Sequence, residues 1–325
     1  MAPTLGEEDA DMARVTVVGG GVMGLTAALG LARAGHLVRC VRDEPVGDST
    51  SAVAGGLWFP YHVEPRARVL AWGRVAFDRF TALARDPDTG VAVREGVLVE
   101  RATADRWWTE GLPTWREARA EELPAGASGG VIATVPLVTM PVFLRWLEGR
   151  CIEAGVDLVR GWVRDLAEVP GDVVVVAAGL RSGALLDDHA GMPSRGQVAL
   201  LANPGLTRWL VDDDHPDGMV YALPHPGWVV CGGTDVGGSW DTEPDRQVHD
   251  AILRRVREVV PELAGVQVLG ARVGLRPVAP EVRLAASDVG GRPVVTCYGH
   301  GGAGVTLSWG CADEVVRRVG EVVER

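Results

Sequence analysis

The stretch Tyr298-Gly299-His300-Gly301-Gly302-Ala303-Gly304-Val305-Thr306 carries four glycines in six residues. It follows the apolar run Pro293–Cys297 and precedes a helical pattern over Ala312–Val323. A loop with almost no side chains lets the backbone come close to something flat or charged. A helix N-terminus behind it would aim N–H groups at an acceptor. Near the other end, Gly19-Gly20-Gly21-Val22-Met23-Gly24 matches G-x-G-x-x-G directly after the apolar strand Val15–Val18. Asp43 stands 19 residues past Gly24, where an acid takes a ribose hydroxyl in dinucleotide-binding units. Two such loops at opposite ends of the chain imply one large cofactor held from both sides. Arg276 is the charged residue of Val273-Gly274-Leu275-Arg276-Pro277. A rigid guanidinium in an apolar strand suits two-pronged capture of a carboxylate. The alternative is a structural ion pair with one of the 43 acids.

These residues need elements to hold them. The spacing predicts a helix after the first loop, with Leu25, Ala28, Leu29 and Ala32 inward and Gly35 as its cap. A second strand, Leu37–Val41, completes a βαβ unit. Met140–Gly155 reads as a helix with Phe143, Leu144, Leu147 and Ile152 facing inward. Asp172–Ala178 reads as a buried parallel strand ending at Gly179. Asp245–Glu262 reads as an amphipathic helix. The hydroxyls and small residues of Ser49–Pro60 suit a close approach to a phosphate chain and a ring.

Composition removes other chemistries. All 32 basic residues are arginine, so neither a Schiff-base lysine nor a P-loop lysine exists. A net charge of −11 without a basic block argues against nucleic acid. The five cysteines are scattered and read as buried thiols. No metal-ligand spacing appears. No apolar run reaches the ~20 residues of a membrane span, and the acidic start is unlike a secretory signal. A cytoplasmic location is the expectation. A nicotinamide enzyme would share the first βαβ unit, but it leaves the C-terminal glycine loop unexplained.

From about Val15 to about Val319 the chain resembles the D-amino-acid oxidase family of glutathione-reductase-like flavoproteins. The motifs are the N-terminal glycine finger, Ala54-Gly55-Gly56-Leu57-Trp58, Arg195-Gly196-Gln197, Tyr221, Gly274-Leu275-Arg276-Pro277 and Tyr298 through Thr306. The resemblance implies non-covalent FAD. Gly19, Gly21, Val22, Met23 and Gly24 would lie along its pyrophosphate, Asp43 on its ribose and Val163 at its adenine. Thr50, Ser51, Gly56, Leu57 and Gly179 would complete the binding surface. Gly301, Gly302, Gly304, Val305 and Thr306 would close over the flavin ring. Arg276 and Tyr221 would take the substrate carboxylate, and the Gly302 carbonyl would accept from the amine. The implied reaction is oxidative deamination of a D-amino acid. Hydride passes from the α-carbon to flavin N5, the imino acid hydrolyses to a 2-oxo acid and ammonia, and oxygen becomes hydrogen peroxide.

The expected fold is α/β: a Rossmann-like FAD domain over 13–60, 132–190 and 285–325. It is interleaved with an α+β substrate domain on a mixed or antiparallel sheet over 61–131 and 191–284. A disordered tail is expected over 1–12. Partners are a D-amino acid and oxygen, with a homodimer left open. Two positions depart from the family. Asp217 stands where vertebrate members place a second tyrosine, and Ala303 stands where a tyrosine is frequent. The short acidic segment Asp212–Gly218 argues against a long lid. D-aspartate, glycine or sarcosine stay open as substrates, with His62, Arg195 and His225 as candidate cations for an acidic side chain. A flavin-binding protein without turnover is the remaining alternative.

Overall fold

The computed structural model describes residues 12–102 and 105–324, so the tail expected over 1–12 lies outside the described residues apart from Met12. The first unit is β1 (Arg14–Val18), α1 (Val22–Arg33) and β2 (Leu37–Arg42), with the two strands parallel. A short α2 (Thr50–Val53) and a long α3 (Arg66–Leu83) follow. Next come β3 (Val91–Glu100), β4 (Trp115–Glu117) and β5 (Gly129–Val138), in which β5 runs antiparallel to both others. The chain returns to the parallel region through α4 (Met140–Glu153), β6 (Asp157–Arg160), β7 (Val173–Val176) and α5 (Arg181–Leu186).

A second antiparallel group holds β8 (Met192–Ala202), β9 (Trp209–Asp212), β10 (Val220–His225), β11 (Trp228–Gly232) and the short β12 (Val236–Gly237). The chain ends with α6 (Arg246–Val259), β13 (Val268–Asp288), β14 (Pro293–His300) and α7 (Gly304–Val323). Among the described residues these strands join in one mixed sheet. Its order is β4, β5, β3, β9, β10, β11, β8, β13, β14, β7, β1, β2, β6, with β12 attached to β8.

The parallel end is short and valine-rich because both its faces are covered. All four residues of β7 are buried valines. α1 is apolar on most sides, and α7 lies against it where Gly30 leaves room for the Val316 side chain. The 21-residue β13 joins the two halves of the sheet. It pairs with β8 up to Val278 and with β14 at Val278 and again from Arg283, with the β14 register broken between those two residues. Pro280 lies in that break and has no N–H to give a ladder.

Three expectations change. Ile152 is 61% exposed, and Cys151 takes the inner position of α4. Ile152 comes five residues after Leu147 and so points about 140° away from it, whereas Cys151 continues the stripe. The chain stays in β14 through His300, so Tyr298, Gly299 and His300 belong to a strand rather than a loop. One 3₁₀ turn, Gly301–Ala303, leads directly into α7 at Gly304, well before Ala312. α6 ends at Val259 because Val260 precedes Pro261 and leaves the helical region. All five cysteines are free and buried. No helix among the described residues is long and apolar enough to cross a membrane.

One buried ion pair ties the β3 end to β9. Arg101 Nη2 lies 2.7 Å from Asp212 Oδ2, and Asp212 is fully buried. Removing only the cation strands a buried charge. Arg101→Met is therefore expected to lose about 3–5 kcal/mol of stability, read from its denaturant midpoint. A midpoint matching the wild type would contradict this.

Candidate active site

β1 ends at Val18 and is followed by Gly19, where φ is +121°. A side chain there would run into the Ala177 carbonyl just past β7. Glycine allows the turn and keeps the loop close to the sheet. The Val22 N–H donates to Ser51 Oγ at 3.1 Å. The following N–H groups, of Met23 and Gly24, lie in the first turn of α1 and have no acceptor within the helix. β1, β7 and β14 are adjacent and parallel. The Gly19–Gly21 turn and the Gly301–Ala303 turn therefore leave the same edge of the sheet. Thr50 packs beside Gly274, and Leu57 bridges to Leu137. The Gly56 carbonyl accepts from Val138 N at 2.8 Å.

Thr306 is buried, and its hydroxyl both donates to Phe59 O (2.9 Å) and accepts from Phe59 N (3.0 Å). The threonine fastens the start of α7 to the Gly55–Pro60 segment. Asp43 is also engaged. Arg181 Nη1 lies 2.7 Å from its Oδ2, and Arg181 Nη2 donates to Val163 O at 2.8 Å. The same guanidinium sits 3.4 Å over the exposed Trp162 ring. Arg181 thus gathers Asp43, Val163 and the turn at Gly179. Sequence reading missed it, although an arginine just after Gly179 at a helix start was a usable signal.

Arg276, Tyr221 and Gly302 come together. Arg276 lies on β13 opposite Ser194 of β8, and its Nη1 donates to Thr234 O at 2.9 Å. It forms no ion pair among the described residues. Gly196 makes room for it, since a methyl group there would sit 2.6 Å from Nη1. Tyr221 pairs with Gly232 across β10 and β11, and its hydroxyl faces the same guanidinium. Burial raises the phenol pKa, so the hydroxyl stays protonated. A guanidinium has no acceptor. Any bond between the two therefore runs from Arg276 to the phenol oxygen, which leaves the phenol proton for another acceptor. Gly302 packs against Tyr61 and Arg276.

A cavity of about 130 Å³ opens here, lined among others by Tyr61, His62, Ser194, Asp235, Arg276 and Gly302. Tyr61 donates to Asp235 Oδ2 at 3.1 Å and stacks on His62 with ring centroids 4.1 Å apart. Burial, and then the neighbouring acids Asp214 and Asp212, push the Asp213 carboxyl up to about 7, while Arg276 pulls it down. Of the three cations considered for this region, His62 lines the cavity. Arg195 does not: it is buried and donates to the Asp241 and Glu243 carbonyls, because alternation along β8 turns it away from Ser194. His225 is buried between Thr139 and Gly55. Among the described residues no cluster suited to a metal ion occurs.

The sequence pattern of the FAD dependent oxidoreductase family (DAO) covers residues 14–318. The chain belongs to this family. It is 46% identical over 314 residues to a D-amino-acid oxidase of Rubrobacter xylanophilus, covering 95% of this chain and 96% of that one. It is also 46% identical over 308 residues to a D-amino-acid oxidase of Streptomyces coelicolor, covering 93% and 95%. A glycine oxidase structure from Geobacillus kaustophilus superposes with a TM-score of 0.80 at 19% identity, covering 96% of this chain and 95% of that chain. That similarity shows the same fold. Membership in an FAD-dependent family accounts for two glycine turns on one sheet edge.

His225 supports the Gly55–Pro60 segment. Its Nε2 lies 3.1 Å from the Gly55 carbonyl, which can only accept, so Nε2 carries the proton. Nδ1 then accepts from the Thr139 hydroxyl at 3.1 Å. Burial lowers the pKa from 6.5 to about 4. Between these values the unfolded chain binds more protons than the folded one. Stability should therefore fall as pH drops through this window, by up to about 3 kcal/mol from this group. His225→Gln should flatten the slope of stability against pH, and an unchanged slope would contradict the assignment.

Proposed function

We propose that this member of the FAD dependent oxidoreductase family oxidises D-amino acids to 2-oxo acids, releasing ammonia and hydrogen peroxide. The observation that carries the reading is Arg276: a cation without an ion-pair partner among the described residues, facing a cavity beside the Gly301–Ala303 turn. The two relatives named D-amino-acid oxidase support the same reaction. Bound FAD supplies a hydride acceptor that oxygen can reoxidise.

In this reading Gly19, Gly21, Val22, Met23 and Gly24 hold the pyrophosphate. The first-turn N–H groups of α1 suit an anion. Asp43 meets the ribose through the oxygen that Arg181 leaves open, and Val163 and Gly179 border the adenine end. Thr50, Ser51, Gly56 and Leu57 face the flavin end, as do Gly301, Gly304 and Val305. Thr306 contributes backbone, because Phe59 holds its hydroxyl. FAD is held without a covalent link.

Arg276 binds the substrate carboxylate on two prongs, and Tyr221 donates its free proton to the same group. The Gly302 carbonyl accepts from a neutral amine. These contacts fix the direction of the α-hydrogen, and positioning is the main task left to the protein. With the amine neutral, no side chain is needed as a general base. An acidic side chain is less well served, since Arg195 and His225 are committed elsewhere. The reading includes a cytoplasmic location and small-molecule partners, D-amino acid and oxygen.

An anaerobic visible spectrum tests the assignment. Yellow protein should bleach with a D-amino acid and not with its L-isomer, and bleaching by neither would refute it. Arg276→Leu should raise KM at least about tenfold, as loss of a charge-assisted bond requires, and an unchanged KM would remove its role. Gly21 has φ −78° and ψ −172°, which valine also adopts. Gly21→Val should therefore fold yet purify colourless, and a fully yellow variant would rule out the pyrophosphate contact.

A further inference from the structure

The cavity beside Arg276 has an acidic wall that an α-carboxylate does not need. Asp235 lines it together with Ser194 and Tyr61. Two hydroxyls orient this carboxylate: Ser194 Oγ donates to Oδ1, and the Tyr61 hydroxyl donates to Oδ2 at 3.1 Å. Neither neutralises its charge. Asp235 forms no ion pair among the described residues, and neither does Arg276. Each carboxylate oxygen can accept a further hydrogen bond. The cleft thus holds a cation and an anion, neither of which is engaged in an ion pair among the described residues.

A ligand that satisfies both carries an anionic end for Arg276 and a cationic end for Asp235. The α-amine is a poor match for the second role. It is neutral in the reacting form and is directed at the Gly302 carbonyl in the reading given above. The remaining cation is the side chain. Asp213 adds to the same field, since its carboxyl interacts with Arg276 and Asp235 and is ionised above about pH 7. An anionic side chain would meet like charge here.

We propose that Asp235 selects the substrate side chain, so that the protein prefers D-amino acids with a cationic side chain, of the lysine, ornithine or arginine kind, over neutral ones of equal length, and disfavours acidic ones. The proposal rests on the reading of this site as that of a D-amino-acid oxidase and adds the substrate class.

The test is peroxide formation by the yellow holoenzyme with D-lysine against D-norleucine, and with D-glutamine against D-glutamate. Selectivity is the ratio of kcat/KM values. The wild type should favour D-lysine over D-norleucine and D-glutamine over D-glutamate. D-norleucine preferred over D-lysine overturns the proposal and needs no variant. Asp235→Asn should lower the D-lysine to D-norleucine ratio about tenfold or more, as loss of a charge-assisted bond implies. An equal fall for both substrates would mean that Asp235 serves the α-amine, which also overturns the proposal. Asp235→Arg should shift the preference towards D-glutamate, and no shift in that variant argues against it. Yellow wild-type protein that oxidises none of the four would refute the oxidase reading itself, an outcome distinct from oxidation without charge preference.

Discussion

Much of this structure follows from keeping the Arg276 guanidinium half-buried without an ion-pair partner among the described residues. Desolvating a cation is costly, and neutral acceptors offset the cost only in part. Here the Thr234 carbonyl and the Tyr221 oxygen surround it, and Gly196 leaves the space it fills. An arginine neutralised by a resident acid would have to exchange that partner for a ligand. This one is oriented beforehand and loses little freedom when a carboxylate arrives. Its place on β13 serves the same end. β13 leaves β8 and joins β14 just past this point, so the residue stands where the antiparallel and parallel halves of the sheet meet.

The parallel half explains why two distant glycine motifs serve one ligand. β1 and β14 flank β7, all three run the same way, and each outer strand feeds a helix through a glycine turn. In open parallel sheets the carboxyl ends of strands form the ligand crevice. α1 and α7 pack side by side, and Thr26 Oγ1 reaches Ser308 O at 3.3 Å, so the two turns keep a fixed relation. The Thr306–Phe59 bonds bring the Gly55–Pro60 segment into the same group. A large cofactor would meet three backbone segments that are already tied to one another by hydrogen bonds.

The features legible in the sequence were those with local causes. The first βαβ unit follows from hydrophobic period, glycine spacing and an acid at the right distance, and β7 from an unbroken valine run. Arg276 was legible because charge is rare in an apolar strand. What stayed hidden depended on distant partners. Asp43 reads as a free ribose acceptor until Arg181, 138 residues away, is seen to hold it. The Thr306 hydroxyl reads as free for a cofactor until Phe59 is seen to hold it. Asp235 looks like any surface acid, and its meaning comes from Ser194, 41 residues away, and Tyr61, 174 residues away. Ile152 shows the other limit: hydrophobicity was right, but the helix phase turned it to solvent.

Three carboxylates in this protein show how the identity of the donor separates structural acids from functional ones. Asp212 is buried and held by Arg101, so its charge is cancelled where it lies and the pair fastens two strands. Asp43 is half-exposed and held by Arg181, which also carries Val163, so its charge helps shape one end of the crevice. Asp235 is exposed and held by two hydroxyls, which fix direction while leaving the charge in place. A hydroxyl donor thus does for an anion what a carbonyl acceptor does for Arg276: it orients the group without neutralising it. Asp235 and Arg276 both line one small cavity, which suits a ligand that carries opposite charges. The amino acid backbone supplies one of those charges, and the side chain is left to supply the other.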